Sequence, residues 1–160
     1  MATESIRKRA VAALVTQIAA VNGPTATYFK NLTGTDQVSS LLMTKDQRSK
    51  RSYDNWVYVY DGAEAIEAGE AIGQLLESEL EFLIVCLVRS ESSDTPMLEE
   101  LNDLIHDVML AVGTDTSLGG LVSGLRVSSI ETPVYNTMDS EGLAVIHALA
   151  VYDFTTGSTI

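Results

Sequence analysis

Apolar positions recur along this chain with two different periods, and the periods separate helices from strands. Ile6, Ala10, Ala13, Leu14, Ile18 and Val21 fall at helical spacing and predict a helix over residues 4–22. Thr3 is placed to cap its start. Asn22-Gly23-Pro24 ends it, because glycine accepts a left-handed cap and proline cannot continue the hydrogen-bond ladder. Thr25 to Leu32 is rich in β-formers, among them Tyr28 and Phe29, and predicts a short strand. Trp56-Val57-Tyr58-Val59-Tyr60 then alternates strictly, which predicts a strand over 56–61 with one aromatic and one aliphatic face, turning at Asp61-Gly62. In the strand predicted at 79–89, Leu80, Phe82, Ile84, Cys86 and Val88 share one face and Leu83, Val85 and Leu87 the other, so its middle is buried on both sides.

The helical period returns over 95–112. Thr95-Pro96 supplies a cap and a first-position proline, and Leu98, Leu101, Leu104, Ile105, Val108, Met109 and Val112 form the stripe. Strands follow at 122–135 and 143–154, separated by the turn-forming run Asn136 to Gly142 and pairing as an antiparallel hairpin. Two stretches lack a period. Residues 34–55 hold one apolar cluster, Leu41-Leu42-Met43, and read as a long exposed loop or arm. Ala63 to Glu77 is open between loop, partial strand and short helix. The order of elements describes a single α+β domain over 1–160, a mostly antiparallel β-sheet packed against two α-helices.

With 160 residues, 46% of them hydrophobic, the chain can bury roughly 70% of its unfolded surface without staples. The single Cys86 lies in the alternating run and reads as a core thiol, so no disulfide framework is expected. Arg7-Lys8-Arg9 precedes a polar-interrupted helix rather than an apolar leader, and no 18 apolar residues run together. A soluble protein made in a cytoplasm, with no membrane partner, is expected. The net charge is −12, and between Asp54 and Asp115 fifteen acidic residues face one base, Arg89. That sign opposes specific nucleic-acid binding, which rests on cations displacing counterions. Against this background Lys45, Arg48, Lys50 and Arg51 crowd into seven residues, a patch suited to an acidic neighbour.

No reaction centre is legible, and no cofactor or metal is expected. His106 has Asp103 and Asp107 nearby, but with Glu99 and Glu100 these residues read as the solvated face of the second helix. Glu77, Glu79 and Glu81 would stack on one strand face, a charged rim or subunit contact rather than a paired-acid site. His147 shares a face with Leu143, Val145, Leu149 and Val151 and has no nucleophile context. Thr114 to Gly120 has the glycines of a phosphate loop but lacks its lysine, and reads as a sharp helix-to-strand connection.

The succession Trp56-Val57-Tyr58-Val59-Tyr60-Asp61-Gly62-Ala63-Glu64, Leu80 to Val88, Leu101-Asn102-Asp103-Leu104, Ser117-Leu118-Gly119-Gly120-Leu121-Val122 and Ala144 to Phe154 resembles the tail terminator proteins of tailed bacteriophages, the minor tail protein U family. The resemblance spans Ile6 to Phe154; the departure is the longer, more basic stretch Gly34 to Asn55. It implies a virion protein that assembles as a hexameric ring on a completed tail tube, stops polymerisation, and offers a joining surface to the head or its connector. Its partners would be further copies of itself, the tail tube protein and a head-completion or neck protein, with DNA only in transit through an acidic lumen. In such a ring, Lys45, Arg48, Lys50 and Arg51 could face Glu64, Glu67 and Glu70 of the adjacent subunit. The alternative within the class is a neck or head-completion connector. Outside it stand a small cytosolic enzyme using His147 or His106 and an acidic binding module.

Overall fold

The computed structural model describes residues 5–22, 27–34, 36–66, 75–89, 97–131, 134–136 and 141–155. Along the chain these form α1 (Ile6–Ala19), β1 (Val38–Ser39), α2 (Lys45–Ser49), β2 (Asn55–Ile66), β3 (Leu75–Arg89), α3 (Met97–Thr114), β4 (Gly124–Ile130), β5 (Val134–Asn136) and β6 (Glu141–Thr155). All six strands join one sheet in the order β1-β2-β3-β6-β4, with β5 also pairing β6. Only β1 and β2 are parallel; every other pair is antiparallel. This is the α+β domain that the sequence predicts.

The spine is the β3/β6 pair, in unbroken register from Leu75 opposite Thr155 to Arg89 opposite Glu141. Period-two alternation sends Leu80, Phe82, Ile84, Cys86 and Val88 of β3 and Ala144, Ile146, Ala148, Ala150 and Tyr152 of β6 to one side. There they meet Ala10, Leu14 and Ile18 of α1 and Leu101, Leu104, Val108, Ala111 and Val112 of α3 in the main core. Cys86 lies fully inside this core, and burial pushes its thiol up to about 12. Gln17 of α1 ties the helices together, its amide donating to the carbonyls of Ala111, Val112 and Asp115 at 2.7, 3.1 and 3.2 Å and so satisfying the end of α3.

Several local expectations are corrected. Ser5 caps α1, its hydroxyl accepting from the Lys8 amide at 3.3 Å; Thr3, Gly23, Pro24 and the Thr95-Pro96 start lie outside the described residues. Residues 27–32 of the predicted Thr25–Leu32 strand form no strand. Their backbone is held instead by Asp107, as described below. Asp61-Gly62 is not a turn: β2 runs through it to Ile66, and a register shift between Asp61 and Glu64 absorbs the irregularity as a bulge. Beyond Ile66, residues 67–74 of the uncertain stretch lie outside the described residues. The 122–135 strand is two pieces, β4 and β5, lying along different parts of β6. Leu98 and Met109, placed on the core stripe by spacing, are 42% and 40% exposed. The glycine connection after α3 behaves as expected, with Leu118, Gly119 and Gly120 at φ of 49°, 70° and 88°.

The long arm contains structure. Val38-Ser39 adds an edge strand beside Val57-Tyr58, and α2 begins with a capping box. The Thr44 hydroxyl accepts from the Gln47 amide, and the Gln47 side chain accepts from the Thr44 amide. Residues 40–54 therefore form a strap that crosses from the sheet edge onto the face opposite α1 and α3.

Candidate functional site

The face of the sheet turned away from α1 and α3 has three zones, and α2 reaches only the first. At the strap end, Trp56 and Tyr58 are fully buried with Leu87, packed by Met43, Tyr53, Tyr60 and Val85. Arg48 reaches across this cluster to β6. Its Nη2 lies 2.9 Å from Glu141 Oε2 and 3.0 Å from Oε1, and its Nη1 donates to the Met43 carbonyl at 2.6 Å. The Arg48 and Arg89 guanidiniums sit 5.9 and 5.3 Å from the centre of the Trp56 ring, within cation–π range. Arg89 also donates to the carbonyls of Arg48, Arg51 and Tyr53, which pins the return of the strap to β3.

In the middle zone Leu83, Val85, Val145, Leu149 and Val151 are half-buried, and Leu143 is 37% exposed. His147 crosses this strip with both ring nitrogens engaged, Nδ1 at 2.8 Å from Glu81 and Nε2 at 2.9 Å from Glu131. Hydrogen bonding to Glu81, and then to Glu131, raises its pKa above the ordinary 6.5. The carboxylates approach opposite ends of the imidazole, so they do not converge on one point as metal ligands must. The third zone is acidic. Glu77 stands directly opposite Asp153, with Glu79 two residues along the same face, and all three are exposed.

Of the four clustered cations, Lys45, Lys50 and Arg51 are exposed on the strap; Lys50 and Arg51 make surface pairs with Asp46 at 3.6 Å and Asp36 at 3.4 Å. Arg48 departs from the patch, since it is buried and committed to Glu141 of its own chain. Glu64 is likewise engaged internally. It accepts from Arg7 at 3.3 Å, from Ser78 at 2.6 Å and from the Tyr152 hydroxyl, joining α1 to the sheet. Glu67 and Glu70 lie outside the described residues.

His106 is on the exposed face of α3, as its spacing implies, its ring tilted against Phe29 with centroids 4.9 Å apart. Asp107 is corrected: its side chain is fully buried and accepts from the amides of Phe29 at 3.0 Å and Lys30 at 2.6 Å. The wheel carried that signal, because Asp107 lies three residues from Leu104 and four from Ala111, both buried. Sequence reasoning missed both Glu81 and Glu131 as partners of His147, and Arg7 and Tyr152 as partners of Glu64. These are contacts across strands or between helix and sheet, with no local pattern.

An open cleft of about 440 Å³ lies beside Phe29, Lys30, Asn31, Tyr53, Asp54, Asn55, Val88 and Glu100. Its lining mixes two acids, two amides, two aromatic rings, Val88 and the Lys30 amine. Among the described residues no helix is long and apolar enough to cross a membrane. No known protein-family pattern matches the chain, and no curated protein is significantly similar to it.

Proposed function

We propose that this chain is a non-enzymatic virion protein that closes the head-proximal end of a phage tail tube as a ring, hexameric by resemblance, and forms the joining surface to the head connector. The observation that carries the reading is the ordered set of elements and apolar positions from Ile6 to Phe154 that resembles the tail terminator family. Three features of the molecule support it. Both long helices pack on one side of the sheet, leaving the middle and acidic zones of the other without a described helix over them, a surface suited to protein contact. Both histidines are engaged within the chain, His106 against the Phe29 ring and His147 between the carboxylates of Glu81 and Glu131. The strongly acidic surface repels phosphate, which suits a ring through which DNA passes without sticking.

Cross-linking mass spectrometry on the tagged chain, captured from a lysate in which particles assemble, tests the assignment. Links to itself and to a tube subunit are expected. Links confined to head-side proteins would replace the cap by a neck connector, and links to neither would overturn the phage assignment.

A further inference from the structure

We propose that the strap of one copy docks on the acidic end and apolar middle of the open sheet face of the next copy, so that copies join head to tail. The inference rests on the ring reading and names its contact. Glu77 and Asp153 are directly opposite on adjacent strands, an arrangement in which like charges destabilise a sheet, and neither meets a cation among the described residues. Glu79 adds a third charge. Beside them lies the half-buried strip of Leu83, Val145, Leu149 and Val151, which no described helix covers.

The same chain carries the complement. Leu41 and Leu42 are 77% and 63% exposed on the strap, the two most exposed large apolar side chains described. Lys45, Lys50 and Arg51 follow within ten residues; all three are exposed, and Lys50 and Arg51 make surface pairs that a closer carboxylate can displace. Leucines set against the strip and cations against the acidic end would satisfy both surfaces at once. Because the two patches differ, the contact is heterologous, and its repetition either closes a ring or extends without limit. Arg48 is not a donor in this contact; it anchors the strap to Glu141 within its own chain.

The test combines charge reversal with zero-length carbodiimide coupling, on the full chain alone and at the ends of tail tubes. The strap variant Lys45→Glu/Lys50→Glu/Arg51→Glu and the face variant Glu77→Lys/Glu79→Lys/Asp153→Lys change exposed side chains only, and circular dichroism confirms that each folds. Each variant alone should lose assembly at least tenfold in concentration dependence. Mixing the two, or combining both reversals in one chain, should restore it. Coupling of mixed ¹⁴N and ¹⁵N wild-type chains should join Lys45 or Lys50 of one copy to Glu77, Glu79 or Asp153 of another. Single variants that form wild-type rings would overturn this contact and leave the ring reading standing. Rings that stay intact while the face variant alone fails to cap tubes would assign the face to the tube and also overturn it. A wild-type chain that forms no ring, either in solution or on tube ends, would overturn both.

Discussion

Replacing Arg48 by methionine should cost this protein about 3 kcal/mol, at the lower end of the range for breaking a buried ion pair. Arg48 and Glu141 retain 8% and 16% side-chain exposure, so neither charge regains full hydration when its partner is removed. The methionine keeps the apolar stem over Trp56 but removes the paired contacts to Glu141 and the 2.6 Å bond to the Met43 carbonyl. A hydrogen bond to a charged group contributes about 1.5–3 kcal/mol, which makes the total consistent with losing the pair and leaving Glu141 poorly solvated. In a chain of this length that corresponds to a melting-temperature drop of roughly 6–12 °C. Trp56, the only tryptophan and fully buried beneath the strap, reports the change by fluorescence in urea titrations. Glu141→Gln and the double variant complete a cycle whose coupling should lie near 2 kcal/mol. A loss below about 1 kcal/mol with no coupling, the value of an exposed pair, would refute the claim that the strap is anchored by a buried charge.

Asp107→Ala should cost about 2–4 kcal/mol and speed amide exchange at Phe29 and Lys30, whose N–H groups lose their acceptor; unchanged exchange there would contradict the assignment. The raised pKa of His147 gives a pH dependence of definite sign. Its stabilisation is fully present below the unfolded value of 6.5 and is lost as pH rises through the higher folded value, so wild type and His147→Gln should differ most in stability at mildly acidic pH and converge in alkali. NMR titration of the His147 ring checks the direction, and a pKa at or below 6.5 would refute it. Gly142 packs under α3, where an added Cβ would lie 2.7 Å from Met97 Sδ and 3.0 Å from its Cγ. Because Met97 is only half-buried and its flexible thioether end can rotate away, Gly142→Ala should cost less than about 1 kcal/mol in urea titration; a loss above about 2 kcal/mol would show that the Met97 side chain is fixed there.

The regular elements were legible wherever one face of an element is apolar. The Val57/Val59 and Trp56/Tyr58/Tyr60 alternation correctly separated the faces of β2, and the even positions from Leu80 to Val88 are the buried set of β3. Chain direction was less legible. Asp61-Gly62 has the composition of a turn, yet cross-strand pairing with β3 continues beyond it and a bulge takes up the glycine. The short helix α2 has almost no apolar residues, but the Thr44-x-x-Gln47 capping box was a local signal for it. The fate of charges was least legible. Arg48 reads as surface because its neighbours are polar, and it is buried only because Glu141, 93 residues away, lies beneath the strap. Glu81 and Glu131 meet at His147 for the same reason: strand pairing, not sequence proximity, brings them together.

The central claim is that this chain terminates a tube by forming a ring on its end. The most direct measurement is electron microscopy of tail tubes polymerised with and without the purified chain. When the chain is present, tubes should stop growing, each bearing ring density at one end. Tubes that elongate equally in both conditions, with bare ends, would contradict it.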